Sequence, residues 1–369
     1  MQILLVKSTF NKKQSVINLR EFEYNRKFAI IKAMLELKVS SKNPAAINSA
    51  FKKIKEMVNT GAVSKDSPVH IILEPGSYKE IIRYNLRNPL VMESSSSNAL
   101  STVVQAENCE YFNHGVENRA IFSIGPNATE VTLKNFTIIN THNKICEEPK
   151  TLNDSAEALS WCNEKGTLSC KNMRFESRQN TLYVHGFSWF EDCYFSGDVD
   201  VIYGDCNTSF FENCEIFVRQ DNRGDHNGFA VKSLALANKK GFVFSACKFT
   251  GEKRKRSVLS VYRTSGKGSA ESEKNWDSAA FINCIISDSF KEDLIWDDDL
   301  NIPVYPRGNA LTGIREYKTL CLSKSGNLSP ANTLLRNIAT YTLTDDDYYA
   351  LYASRYLILK DTPFKFTTD

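Results

Sequence analysis

Apolar residues recur three and four apart along "REFEYNRKFAIIKAMLELKV" (20–39) and "NPAAINSAFKKIKEMVNTG" (43–61), the period of a helix with one buried stripe. Asn43 and Pro44 offer the second helix a start and Gly61 a stop. From "VHIILEPGSY" (69–78) onward the texture changes to short β-rich runs broken by Gly, Asn and Asp. Inside this region one pattern returns: FEDCYF at 190–195, FENCEIF at 211–217, FSACKF at 244–249 and FINCII at 281–286. LKNFTII at 133–139 fits with phenylalanine in the cysteine slot, and TLSC at 167–170 is a weaker member.

Recurrence at intervals of about 21 to 37 residues is the signature of stacked coils, with loops of unequal length absorbing the variation. A buried thiol packs as a small hydrophobe, so the repeated cysteines read as an internal column. Open ends of such a stack need covering. The N-terminal helices are expected to cap one end, and the segment "TLTDDDYYALYASRYLILKD" (342–361) to cover the other or lie along the side. The expected fold is all-β: a single right-handed parallel β-helix over 43–369, preceded by a partly helical extension over 1–42.

Within the coil region the stretch GDVDVIYGD (197–205) places carboxylates among apolar residues. Strand alternation puts Val199, Val201 and Tyr203 on the buried side and Asp198, Asp200 and Ile202 on the other. The aspartates then face outward, either solubilising the strand or doing chemistry.

Composition narrows the classes. The chain has 369 residues, 42% hydrophobic and 24% charged, enough for a sizeable core, and a net charge of +3 that names no partner. Its ten cysteines form no C-x-x-C pair and its five histidines no H-E-x-x-H spacing, so neither a metal nor another cofactor is expected. The "MQILLVKSTF" start lacks a signal-peptide pattern and no run reaches membrane-spanning length, which predicts a cytoplasmic monomer with reduced thiols. The same chain trimmed of a leader would be extracellular. No G-x-S-x-G or G-x-x-x-x-G-K is present. The basic run KRKR (253–256) reads as a solvated loop and not a nucleic-acid site, WDDD (296–299) as a turn, and TDDDYY (344–349) as a helix start.

The chain resembles the pectin methylesterases, whose strand G-T-V-D-F-I-F-G is matched by GDVDVIYG (197–204), followed by FENC (211–214). Their Y-Q-D-T-L-Y is matched by RQNTLY (178–183), P-G-x-Y-x-E by PGSYKE (75–80), Q-A-x-A-L by SAEAL (155–159), and a later R-E-Y by Arg315 to Tyr317. The resemblance implies demethylation of polygalacturonate or its oligomers, with Asp200 as nucleophile, Gln179 as oxyanion donor and Arg263 as the cation beside Asp200. The family acid position holds Asn180, the first glutamine is Ser155, and the expected Pro-Trp after the arginine is Thr264 and Ser265. Trp276 is a candidate replacement for the missing sugar platform, and Ser155, Tyr203, Asp198 and Asp205 are candidate substrate contacts. A raised carboxyl at Asp198 or Asp205, or His185, is the candidate substitute for the acid. Two alternatives stay open: hydrolysis of another ester or thioester on the same scaffold, and saccharide binding without turnover.

Overall fold

The computed structural model describes residues 3–4, 34–144, 153–220, 229–236, 239–252, 258–262, 275–290, 296–298, 308–336 and 340–365. The KRKR run and Arg263 lie outside them.

Two parallel sheets wind around one apolar core. In the larger, the strand Leu159–Lys171 pairs in parallel with Leu182–Glu191, which pairs with Ile202–Glu212, and that in turn with Phe229–Leu236 and Gly241–Ser245. The smaller is built from the short strands between them, Arg174–Glu176, Tyr194–Gly197, Glu215–Val218 and Lys248–Gly251, again parallel. Alternating membership of two sheets makes each turn of chain one coil, and the fold is a parallel β-helix.

The repeat is the packing unit. Phe190, Phe211, Phe244 and Phe281 are register partners in successive coils, and their rings stack at 4.8, 4.7 and 5.4 Å. Three residues after each ring stands a buried cysteine, Cys193, Cys214, Cys247 or Cys284, whose Sγ faces a carbonyl of the preceding coil. The residue before each cysteine turns the corner between sheets with positive φ: Asp192, Asn213, Ala246 and Asn283. Asn and Asp tolerate that backbone best, and Asn213 Nδ2 donates to Asp192 Oδ1 at 2.6 Å across coils. The coil of TLSC departs from the expected alignment. Cys170 is the register partner of Phe190, so it occupies the ring slot, Asn172 turns the corner, and Met173 fills the thiol position.

The helix Ala46–Asn59 covers one end of the stack with Ile47, Ala50, Phe51 and Ile54 buried, the Phe51 ring 5.0 Å from that of Tyr84. Its N-terminus carries no local side-chain cap. Glu80, in the PGSYKE segment, accepts from the Ile47 and Asn48 amides at 2.9 and 3.0 Å instead, a carboxylate at the positive end of the helix. Of the stretch 20–39 expected to be helical, residues 20–33 lie outside the described residues, and Leu35–Val39 form a strand pairing in parallel with Val69–Leu73. Its alternate residues Leu35, Leu37 and Val39 are buried in the coil core, and sheet pairing overrides the helical period.

The C-terminal helices Asp345–Leu351 and Arg355–Leu359 lie along the side. Tyr352, Ile358 and Leu359 form a second apolar cluster with Phe210, Val243, Ala280 and Tyr317 on the outer face of the larger sheet. The first of these helices starts at a Thr344–Asp347 capping box, as the TDDDYY pattern anticipates. Arg315 to Tyr317 serve this docking: Arg315 is fully buried and bonds Lys240 O at 2.5 Å, and the Tyr317 ring stacks 4.2 Å from Tyr348. Trp296–Asp298 form a strand beside Val258–Tyr262 and not the expected turn.

Candidate active site

The residues at 180 and 200 share one corner of consecutive coils. Leu182 is the register partner of Ile202 and Tyr183 of Tyr203, while Gln179 bridges Val199. Both corner residues are left-handed, Asn180 at φ 63° and Asp200 at φ 48°. A left-handed residue inverts the side-chain direction of its successors along the strand, so the simple alternation over 198–203 fails. Val201 and Ile202 are both buried, Tyr203 is half-buried, and Asp198 is 0% exposed. Asp198 is therefore neither a solvated carboxylate nor an accessible acid. Its Oδ1 is 2.6 Å from Lys144 Nζ, and Arg178 stands 4.0 Å from its other oxygen. Gly204 closes the segment at φ 147°, where a Cβ would meet Val184 O at 1.9 Å.

Asp200 is 8% exposed, with Lys232 Nζ 3.9 Å from its Oδ2. Lys232 reaches this place as the register partner of Tyr203, a position that no sequence motif marks. Beside Asp200, two expected residues converge on the hydroxyl of a third. Asn180 Nδ2 donates to Ser155 Oγ at 3.0 Å, Gln179 Nε2 lies 3.5 Å from the same atom, and Ser155 Oγ donates to Asn153 Oδ1 at 2.6 Å. Asn180 Oδ1 is buried without a hydrogen-bond partner among the described residues. It is an acceptor, and a carboxamide carries no acidic proton.

Asp205 and His185 form a separate cluster on the larger sheet. Asp205 Oδ1 lies 2.9 Å from His185 Nδ1 and accepts from the Tyr183 hydroxyl at 2.9 Å, while His185 Nε2 is 3.2 Å from Glu164. The bond to Asp205 outweighs burial and pushes the imidazole up to about 9. Burial alone would raise the Asp205 carboxyl, but the His185 contacts and the Tyr183 bond hold it below the usual range. The expectation of a raised, proton-bearing Asp205 is thus reversed: its neighbours favour the charged form.

The Tyr203 hydroxyl is likewise engaged. It donates to Glu157 and accepts from Arg119 Nη2 at 2.9 Å, and Arg119 also holds Glu110 at 2.6 Å. Glu157 is wholly buried, and desolvation pushes its carboxyl up against the pull of Arg119. This network escaped sequence reasoning, although a glutamate inside the apolar run SAEALSW was a visible signal. Trp276 pairs through its backbone with Ala235 in an antiparallel ladder, and its side chain, like Arg263, lies outside the described residues. Among the described residues no group of His, Cys, Asp and Glu is arranged to hold a metal, and no helix is long and apolar enough to cross a membrane.

Comparison with known proteins places this corner in a family context. Residues 44–297 match the family model described as Pectinesterase. The chain is 27% identical over 192 residues to "Probable pectinesterase/pectinesterase inhibitor 21" of Arabidopsis thaliana, covering 50% of this chain and 26% of that protein. To Pectinesterase A of Emericella nidulans it is 26% identical over 161 residues, covering 42% and 45%. The chain thus spans well under two thirds of the length of the curated relatives it matches. In solved structures the same fold occurs in pectin methylesterase PemA from Erwinia chrysanthemi, at TM-score 0.61 and 19% identity, covering 89% of this chain and 98% of that one. A pectin methylesterase in complex with hexasaccharide VII gives TM-score 0.59 at 19% identity, covering 85% and 94%. With most of its length matched by one family model and the corresponding fold, the chain belongs to the pectinesterase family.

Proposed function

We propose that the chain hydrolyses carboxylic esters through Asp200, with methyl-esterified polygalacturonate or its oligomers as substrate. The observation that carries this reading is the corner itself. A nearly buried carboxylate stands beside a cation, one coil from amide groups that converge on Ser155. Lys232 favours the ionised form that a nucleophile requires. Attack of an Asp200 oxygen on the ester carbonyl forms an acyl-aspartate anhydride and releases the alkoxide. In this reading Gln179 Nε2, loosely held at 3.5 Å from Ser155, donates to the developing oxyanion. Water then cleaves the anhydride, returning the Asp200 carboxylate and leaving the free acid.

The departing methoxide needs a proton, and Asn180 cannot supply one. In this reading water delivers it. That asymmetry favours a second substrate class on the same site: a thioester, whose thiolate leaves without protonation because its conjugate acid, like a cysteine thiol, has a pKa of about 8.5. Methanol release from methylated oligogalacturonides, measured beside thiol release from small acyl thioesters, tests the assignment. Methanol release lost in Asp200→Ala supports the first reading and thiol release alone the second. Saccharide affinity without either product leaves a binding protein.

A further inference from the structure

The corner residues Ser155, Asn180 and Asp200 belong to three consecutive coils. The smaller-sheet strands that lead into them, Thr137–Asn140, Arg174–Glu176 and Tyr194–Gly197, pair in parallel in that order. Lys144 follows the first of these strands and Asp198 the third. The 2.6 Å contact between Lys144 Nζ and Asp198 Oδ1 therefore joins coils that are not neighbours. Adjacent strands lie about 4.8 Å apart, so the pair spans about 10 Å, which a lysine with its four-carbon stem covers when an aspartate points back toward it.

Between the two runs the coil of Gln179 and Asn180, whose backbone is bonded on both sides. Ala156 N donates to Gln179 O at 3.0 Å, Asn180 N donates to Val199 O at 2.9 Å, and Asp198 N donates to Arg178 O at 2.7 Å. Arg178, on this middle coil, stands 4.0 Å from the second oxygen of Asp198. The backbone bonds link each coil to the next. The Lys144–Asp198 pair links the first to the third.

Both side chains are buried, Lys144 at 1% and Asp198 at 0% exposure. Such a pair is a poor source of stability, because desolvating two charges costs much of what their attraction returns, and apolar residues of similar size often serve as well or better. What it supplies is fixed geometry, since any arrangement that separates the charges strands both away from water. Neighbouring charges are engaged elsewhere: Glu176 with Arg174 and Arg219, His142 with Asp154, and Lys232 with Asp200. Asp198 lies two residues before Asp200, whose left-handed backbone at φ 48° depends on its surroundings. A shift at 198 passes directly to the Asp200 carboxylate.

We propose that Lys144 is a positioning residue: through Asp198 it staples three coils together and fixes the Asp200 carboxylate relative to Gln179 and Ser155. Its effect on rate rests on the ester-hydrolase reading; the staple itself does not.

The test replaces the pair with apolar residues, Lys144→Met together with Asp198→Leu. This double variant is expected to melt at or above the temperature of the unaltered protein. Its kcat on methylated oligogalacturonides is expected to fall at least about tenfold with KM changed less than about twofold, the mark of misplaced reacting groups. Lys144→Met alone is expected to melt lowest, because it removes one charge of a buried pair, and Lys144→Arg, which keeps the cation, to retain more turnover than Lys144→Met. Hydrogen exchange at the Ala156 and Asn180 amides reads the corner without turnover. It is expected to quicken at least about tenfold in the double variant while the Phe190 and Phe211 amides are unchanged. Undiminished kcat in the double variant, or corner amides that exchange as in the unaltered protein, would overturn the staple. A double variant that melts lower or fails to fold would overturn it too, since the pair would then serve stability. Absence of methanol release from the unaltered protein counts against the ester-hydrolase reading, and hydrogen exchange then decides the staple by itself.

Discussion

Asn180 and Asp200 occupy equivalent corners of consecutive coils, both left-handed, and only the second can be charged. The backbone treats them alike because the short carboxylate and carboxamide side chains both tolerate positive φ. Chemistry separates them.

Replacing Asp200 with Asn keeps the corner and removes the charge. Ester turnover is expected to fall at least about 100-fold, with the thermal midpoint unchanged or raised, since a nearly buried charge is lost. Initial rates and a thermal melt on the same preparation check both halves. Unchanged turnover would remove Asp200 from the mechanism.

Asn180→Asp adds a carboxyl one coil from Asp200. Mutual repulsion raises the pKa of one of the two, which supplies a proton donor for the leaving group. Methanol release is expected to rise by about 100-fold or more, within the range of general acid catalysis, while thioester hydrolysis changes little. Equal effects on both substrates would show that leaving-group protonation does not limit the site.

The His185–Asp205 pair predicts a pH window for stability. His185 is raised from 6.5 to about 9, so its contribution is fully present below pH 6.5 and is lost as pH rises through about 9. Asp205 is lowered from 3.8, so its contribution is present above pH 3.8 and is lost as pH falls through the lowered value. The thermal midpoint of the unaltered protein is therefore expected to drop more between pH 6.5 and 9 than that of His185→Gln. Parallel profiles for the two proteins would contradict the pairing.

Glu80→Ala leaves two amides at the start of the Ala46–Asn59 helix without their carboxylate. The loss is expected to be about 1–2 kcal/mol, as for other N-terminal caps, read as a shift in denaturant midpoint. Glu80→Gln, which keeps an acceptor, is expected to recover part of it.

Local repetition made the coil legible: a ring, two residues and a thiol recur because every coil must present a large group and then a small one to the same interior. That logic is carried by residues close in sequence, and it also places Asp200, Gln179 and Asn180 near one another, since they are register neighbours. The sequence could not show that Asp198 would be buried against Lys144, that Lys232 would approach Asp200, or that Tyr203 would join Glu157 and Arg119. Each of those contacts joins chain segments separated by loops of irregular length, so only the completed winding decides which side chains meet. The same holds for Asp200's left-handed backbone, which reverses the alternation that a strand pattern assumes. Sequence determined the coil and its corner residues; tertiary stacking determined which charges are buried and which are paired.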